Sequence, residues 1–131
     1  RGLVFFNSLS DLGATEERLQ FNGASAVSLA SDINVKFRKV ILEKFKNHEI
    51  SLLLGTDLLA RGIDIENLEV VINFDIPRDR EAYTHRSGRT GRMGNEVRVI
   101  SLVSHPEDLK KLKKFAKVSE IVLKNQEIHE K

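Results

Sequence analysis

Leu3-Val4-Phe5-Phe6 is an unbroken apolar run, and two polar residues, Asn7 and Ser8, follow it at once. A strand with one wet face alternates; a continuous run is the mark of a strand covered on both faces, as in parallel sheets flanked by helices. The same signature returns along the chain. Ala26 to Leu29 is a second short run, and Ile50-Ser51-Leu52-Leu53-Leu54 is a third that ends at Gly55-Thr56-Asp57. Val70-Val71-Ile72 is a fourth, ending at Asn73 and Asp75, and Val97 to Val103 is a fifth. Pro77 closes the fourth because it has no N–H to give to a ladder. Glu120 to Leu123 reads as a last strand.

Helical patterns fill the gaps. Ser8, Ser10 and Asp11 offer caps for a helix through Thr15 to Gln20, and Gly23 offers its stop. From Val35 to Asn47, the residues Phe37, Val40, Ile41, Lys44 and Phe45 recur at helical spacing, which predicts a buried stripe through them. A further helix is predicted from Asp79 to Arg86. Another follows Pro106, with Leu109, Leu112 and Ala116 on one face. Strand and helix alternating this often predicts an α/β fold, a mainly parallel sheet with helices on both faces.

Composition narrows the class. The chain has 131 residues, 40% hydrophobic and 31% charged, which describes one globular domain rather than a disordered segment. No apolar run approaches the roughly 18 residues of a membrane span. With no cysteine, disulfides and thiolate metal sites are excluded. His48, His105 and His129 are scattered, so no metal site is expected. The net charge, 21 − 19 = +2, is a weak pointer to a polyanion as a total.

Chemistry is expected at the carboxyl ends of the strands, where open α/β sheets meet their ligands. Three loops there are rich in polar groups: Asn7-Ser8, Gly55-Thr56-Asp57 and the stretch after Asn73. The densest segment runs from Tyr83 to Arg92. Arg86, Arg89 and Arg92 recur there at every third residue, interleaved with Gly88 and Gly91. Guanidinium forks at that spacing suit a polyphosphate. The competing reading is a basic surface helix, ion-paired to Asp75, Asp79 or Glu81. A second cluster, Thr56 to Ile65, joins Arg61 to Asp64 within two helical turns. Its simplest structural reading makes Asp57 a helix cap and Gly62 a turn.

These segments resemble DEAD-box RNA helicases. Leu53-Leu54-Gly55-Thr56-Asp57-Leu58-Leu59-Ala60-Arg61-Gly62-Ile63-Asp64 is similar to their motif V. His85-Arg86-Ser87-Gly88-Arg89-Thr90-Gly91-Arg92 is similar to motif VI, whose His-Arg opening separates DEAD-box proteins from relatives that usually begin it with Gln. Leu3 to Ser8 resembles motif IV, and Val71 to Pro77 resembles the stretch between motifs V and VI. The chain departs from the family pattern at Ala30-Ser31, where His-Gly is usual. It departs again at Val35, the Gln position of the Gln-x-x-Arg element ending at Arg38, and at Val97, where Gly is common.

The resemblance implies a C-terminal RecA-like domain over residues 1–123, with a polar tail over 124–131. It makes Arg89 and Arg92 arginine fingers on the ATP phosphates and gives Asp64 the ATP ribose. Ser8, Arg38 and Thr56 would contact the RNA backbone, and Arg61, His85 and Arg86 would couple the two helicase domains. Backbone contacts of this kind imply low sequence specificity and salt-sensitive binding. ATP and Mg2+ are the implied cofactors, held mainly by an N-terminal RecA-like domain. The chain has neither a Gly-x-x-x-x-Gly-Lys-Thr/Ser loop nor an Asp-Glu-Ala-Asp segment, so it is expected to be an N-terminally truncated part of a helicase, inactive alone. The implied partners are RNA, that first domain and further proteins, with no membrane and a cytoplasmic location. Two alternatives are an ATP-independent RNA- or protein-binding module and half of a DNA-directed superfamily 2 helicase.

Overall fold

The computed structural model describes residues 1–29, 34–57, 68–87 and 98–118. In chain order these form β1 (Gly2–Phe5), α1 (Ser10–Phe21), β2 (Ala26–Ser28), α2 (Val35–Lys46) and β3 (Leu52–Gly55). Then come β4 (Val70–Asn73), α3 (Arg80–Ser87), β5 (Arg98–Ser101) and α4 (Pro106–Val118). The strands make one five-stranded sheet in the order β2-β3-β1-β4-β5, and every pairing is parallel. The sequence-derived fold class stands. The segment expected as a last strand lies outside the described residues.

The apolar first run is the centre of the sheet. β1 pairs with β3 on one side and β4 on the other. Its side chains alternate between two cores. Leu3 and Phe5 join Phe45, Leu53 and Val71 on the α2 face, while Val4 and Phe6 join Leu12, Ala26 and Leu54 on the α1 face. This is why the run shows no polar alternation: neither face of β1 meets water. A third cluster, Ile76, Tyr83, Leu112 and Phe115, holds α4 against α3. No helix among the described residues is long and apolar enough to cross a membrane.

Helix α2 corrects one expectation. Its buried stripe is Ile41, Leu42 and Phe45, and Phe37 and Val40 stand 65% and 50% exposed. Apolar residues lie around more than half of this helix, so periodicity admitted two phases. The observed phase seats Phe45 in the core, where the Arg1 guanidinium bonds the Phe45 carbonyl oxygen at 2.9 Å and stacks 5.3 Å from its ring. Helix α1 corrects another. Leu9 occupies its cap position with no side-chain cap bond, and the Ser8 and Ser10 hydroxyls bond each other instead, at 2.8 Å.

Both helices close in the same way. In α1 the N–H groups of Gly23 and Ala24 return to the carbonyls of Gln20 and Leu19, with Gly23 at φ +87°. In α2 the N–H groups of His48 and Glu49 return to Phe45 and Lys44. This paired closure needs a left-handed residue, which glycine adopts freely. In α2 that residue is His48, at φ 65°. The free edge of β2 is covered by α1, whose Gln20 Nε2 donates to the Ala26 carbonyl at 2.7 Å while the Glu16 carboxylate accepts from the Ser28 N–H.

Two glycine positions give opposite predictions. A Cβ on Gly2 would lie 2.9 Å from the Val70 carbonyl oxygen, its own ladder partner. Gly2→Ala is therefore expected to lower stability by about 1–3 kcal/mol, read as an earlier urea midpoint; an unchanged midpoint would contradict the close approach. His48→Gly is expected to raise stability by about 0.5–1 kcal/mol by relieving the left-handed backbone, measured in the same titration.

Candidate functional site

In a parallel sheet all the strands present their carboxyl ends to one edge. Register makes this edge level: Phe5 stands beside Gly55 and Asn73, and Asn73 beside Ser101. The next residues, Asn7-Ser8, Thr56-Asp57 and Phe74-Asp75, leave the sheet together. From β1 the chain moves outward to β2 and returns to β3, then crosses to β4 and β5 on the other side. The order in which strands are added therefore reverses between β1 and β4, and a crevice is expected above that point.

The loops beside the crevice are laced together. Asn7 takes its backbone N–H to the Asp75 carboxylate at 2.8 Å and its Nδ2 to the Ile76 carbonyl at 2.9 Å. Arg78 donates to the Asn7 carbonyl at 3.0 Å. Beneath them lies Arg86, delivered by the last turn of α3 and completely buried. Its Nε donates to Asp57 Oδ1 at 2.6 Å, and one terminal nitrogen donates to Asp57 Oδ2 at 3.1 Å and to Asn7 Oδ1 at 2.7 Å. The other donates to the Asp75 carbonyl at 2.7 Å and to Asn73 Oδ1 at 3.4 Å. A guanidinium has five N–H donors, and here each finds an acceptor. The fork also lies 5.4 Å from the centre of the Phe5 ring. Asn73, itself buried, passes its Nδ2 to Ser101 Oγ at 3.0 Å, which extends the network to β5.

Arg86 therefore departs from both sequence readings. It faces no open ligand surface, and its ion pair is with Asp57 rather than Asp75, Asp79 or Glu81. The reason is geometric. Helix α3 packs on the sheet so that its last turn sits over the strand ends, and there the long side chain reaches Asp57 and Asn7 at once. As placed, the guanidinium is a link within this domain and has no donor left for a contact to another. His85, one residue earlier, is about half exposed and lies 3.6 Å from Glu81 on the same helix. Ser8 and Thr56 are half-buried at the edge, next in sequence to the Arg86 partners Asn7 and Asp57. Arg38 is half-buried in the first turns of α2, which begins on that same side of the sheet. Arg61, Asp64, Arg89 and Arg92 lie outside the described residues, as do Ala30-Ser31 and Val97.

Sequence reasoning missed the roles of Asn7, Asn73 and Asp57. One signal was present: each is a polar residue within two positions of an apolar strand's end, and a buried arginine needs such acceptors.

The fold and the edge define a doubly wound α/β domain whose candidate site is the edge at the switch point. Residues 1–94 match the family described as helicase conserved C-terminal domain. DEAD-box ATP-dependent RNA helicase CshC of Bacillus cereus is 39% identical over 128 residues, covering 98% of this chain and 33% of CshC. Probable ATP-dependent RNA helicase YfmL of Bacillus subtilis is 45% identical over 117 residues, covering 89% of this chain and 31% of YfmL. Among solved structures, the E. coli DEAD-box protein SrmB bound to regulator of ribonuclease activity A superposes with a TM-score of 0.87 at 31% identity, covering 98% of this chain and 75% of that one. The chain belongs to the helicase C-terminal domain family, as a domain of the DEAD-box kind. It spans about a third of the length of the curated relatives it matches.

Removing one partner of a buried pair leaves a charge without its counter-ion, at a cost of about 3–5 kcal/mol. Asp57 still touches water, at 35% side-chain exposure, so Asp57→Ala is expected near the lower end of that range. Thermal melting of the chain checks this; a loss under about 1 kcal/mol, the ordinary surface-pair value, would show that the pair carries no such weight.

Proposed function

We propose that this domain is the C-terminal half of an ATP-dependent RNA helicase and works only together with an N-terminal RecA-like domain. One observation carries the reading. The edge that holds the motif V and motif VI resemblances is a single bonded unit, in which Arg86 joins Asp57, the residue after Thr56, to the helix that leads toward Arg89 and Arg92. The curated relatives, named as ATP-dependent RNA helicases, support the same reaction for the parent protein.

In this reading Ser8, Thr56 and Arg38 hold the phosphates and 2′-hydroxyls of one RNA strand. These groups are the same for every base, so the grip has little sequence preference. The salt dependence of RNA binding follows from the number of phosphates neutralised. His85, exposed at the end of α3, and Arg61 meet the N-terminal domain across the cleft. Asp64 accepts from the ATP ribose, and Arg89 and Arg92 supply positive charge to the phosphates. ATP, when bound between the domains, supplies a phosphoanhydride whose cleavage develops charge that guanidinium groups stabilise. Mg2+ is assigned to the N-terminal domain, because the carboxylates at this edge are engaged: Asp57 by Arg86 and Asp75 by the Asn7 N–H. Closure of both domains on a bent strand would separate a short duplex, and reopening would release it. Protein regulators are further partners in this reading, supported by the SrmB structure, which was solved bound to one. A cytoplasmic location is part of the same reading.

The test is catalytic. The chain alone is expected to show no RNA-stimulated ATP hydrolysis, and the parent protein is expected to show it. Replacing Arg92 by Ala in the parent should lower turnover by ~10³-fold or more, the usual worth of such a finger. Turnover by the isolated chain, or an Arg92→Ala parent with full activity, would overturn the proposal. Stimulation by DNA equal to that by RNA would favour the DNA-directed alternative.

A further inference from the structure

Helix α2 carries a feature that the proposed function leaves unused, and the inference drawn from it rests on that reading. Its first turns interleave apolar and cationic side chains: Val35, Phe37 and Val40 with Lys36, Arg38 and Lys39. All three apolar side chains are half exposed or more. One exposed apolar residue is ordinary on a protein surface. Three within two turns are a patch, and the helix is held to the sheet by others, Ile41, Leu42 and Phe45. The cations do not serve the helix either. Its first turn has no acidic residue, and positive charge there opposes the helix dipole, which favours negative charge at that end. Among the described residues, neither Lys36, Arg38 nor Lys39 is in an ion pair.

Position gives the patch its meaning. β2 and β3 are parallel, so α2 runs back from the carboxyl edge of the sheet to the amino edge. Its last turn is at the amino edge, where Arg1 donates to the Phe45 and Lys46 carbonyls. Its first turn therefore lies toward the carboxyl edge, the edge of Ser8 and Thr56. Helical side chains lean toward the N-terminus of their helix. The Phe37 ring, one residue before the proposed RNA contact Arg38, thus leans toward that edge. A flat ring among cations, beside a track for a sugar–phosphate strand, is a surface on which an unpaired base stacks. We propose that Phe37 is a base-stacking platform for one unpaired base of the RNA strand whose backbone Ser8, Thr56 and Arg38 grip, with Lys36 and Lys39 drawing in the adjoining phosphates. Every base has a π-face, so the contact adds affinity without reading sequence. It pins the strand at the β2 end of the sheet, the end away from β5.

The experiment uses the parent protein, with ADP–beryllium fluoride as an ATP stand-in, and measures the dissociation constant of a labelled single-stranded RNA. Phe37→Leu keeps an apolar side chain and loses the ring. It is expected to weaken binding by about fivefold or more, the low end of what one stacked base is worth. Its salt dependence should not change, because no phosphate contact is lost. Lys36→Gln is expected to lower the slope of log affinity against log salt by about 1. The same strand made with abasic sugars is expected to bind wild type and Phe37→Leu alike. Phe37→Trp is expected to keep the affinity and to add an indole emission, absent from this chain, that RNA quenches. Melting temperatures of all three variants should match wild type, since the side chains are exposed. Unchanged affinity of Phe37→Leu for the intact strand overturns the inference, and is the result if the patch docks a protein instead. An equal loss on the abasic strand also overturns it, since the ring would then act on the helix rather than on a base. A wild-type parent that binds no single-stranded RNA sinks the functional reading itself; a parent that binds it with or without the Phe37 ring sinks this inference alone.

Discussion

Arg86 is a charge taken wholly out of water, and the site edge is organised around it. Moving a guanidinium from water into a protein interior costs several kcal/mol even after relaxation, and one neutral acceptor does not offset that. The chain meets the demand with a carboxylate, two side-chain amides, a main-chain carbonyl and the face of an aromatic ring. The partners come from three strand ends and the loops just beyond them: Phe5 and Asn7 from β1, Asp57 from β3, Asn73 and Asp75 from β4. The acceptors converge only if β1, β3 and β4 are in the observed register, so the buried charge selects that register against slipped alternatives. A hydrophobic residue of equal volume could fill the space. It could not discriminate between registers in the same way, because apolar contact is not directional.

Much of the fold was legible because parallel strands advertise themselves. Leu3-Val4-Phe5-Phe6 and Leu52-Leu53-Leu54 are apolar without alternation, and the structure shows why: residues of both parities are buried, on opposite faces. The phase of α2 was not legible. Phe37, Val40, Ile41, Leu42 and Phe45 cover too wide an arc for spacing to choose the buried side, and the observed phase packs Ile41, Leu42 and Phe45 on the core of β1, β3 and β4, residues distant in sequence. The start of α1 misled for another reason. Ser8 and Ser10 are good cap residues by type, yet their hydroxyls satisfy each other.

The site was legible by location and only partly by role. That polar residues after strand ends would gather followed from sheet physics. That Arg86 would turn inward did not, since helical spacing alone does not say which side of the helix is buried. The burial of Arg86 depends on how α3 lies across the sheet, where Tyr83 packs with Ile76 and with Leu112 and Phe115 of α4, residues far off in sequence. Family likeness supplied the class of protein, and local patterns supplied the edge. The inward guanidinium required the three-dimensional arrangement of four elements.

The central position of β1 has a consequence for how the chain acquires its shape. β1 is made before either strand that flanks it, yet its partners begin at Leu52 and Val70. During synthesis, at roughly 5–20 residues per second, a greasy segment with two open edges must wait for several seconds before either neighbour exists. Contacts so distant in sequence also form slowly on refolding, because the intervening loop must close first. The order of birth therefore leaves the most apolar strand unprotected for longest. This domain is expected to lean on chaperones at its earliest stage, and the most aggregation-prone nascent chains should be those that end between β1 and β3.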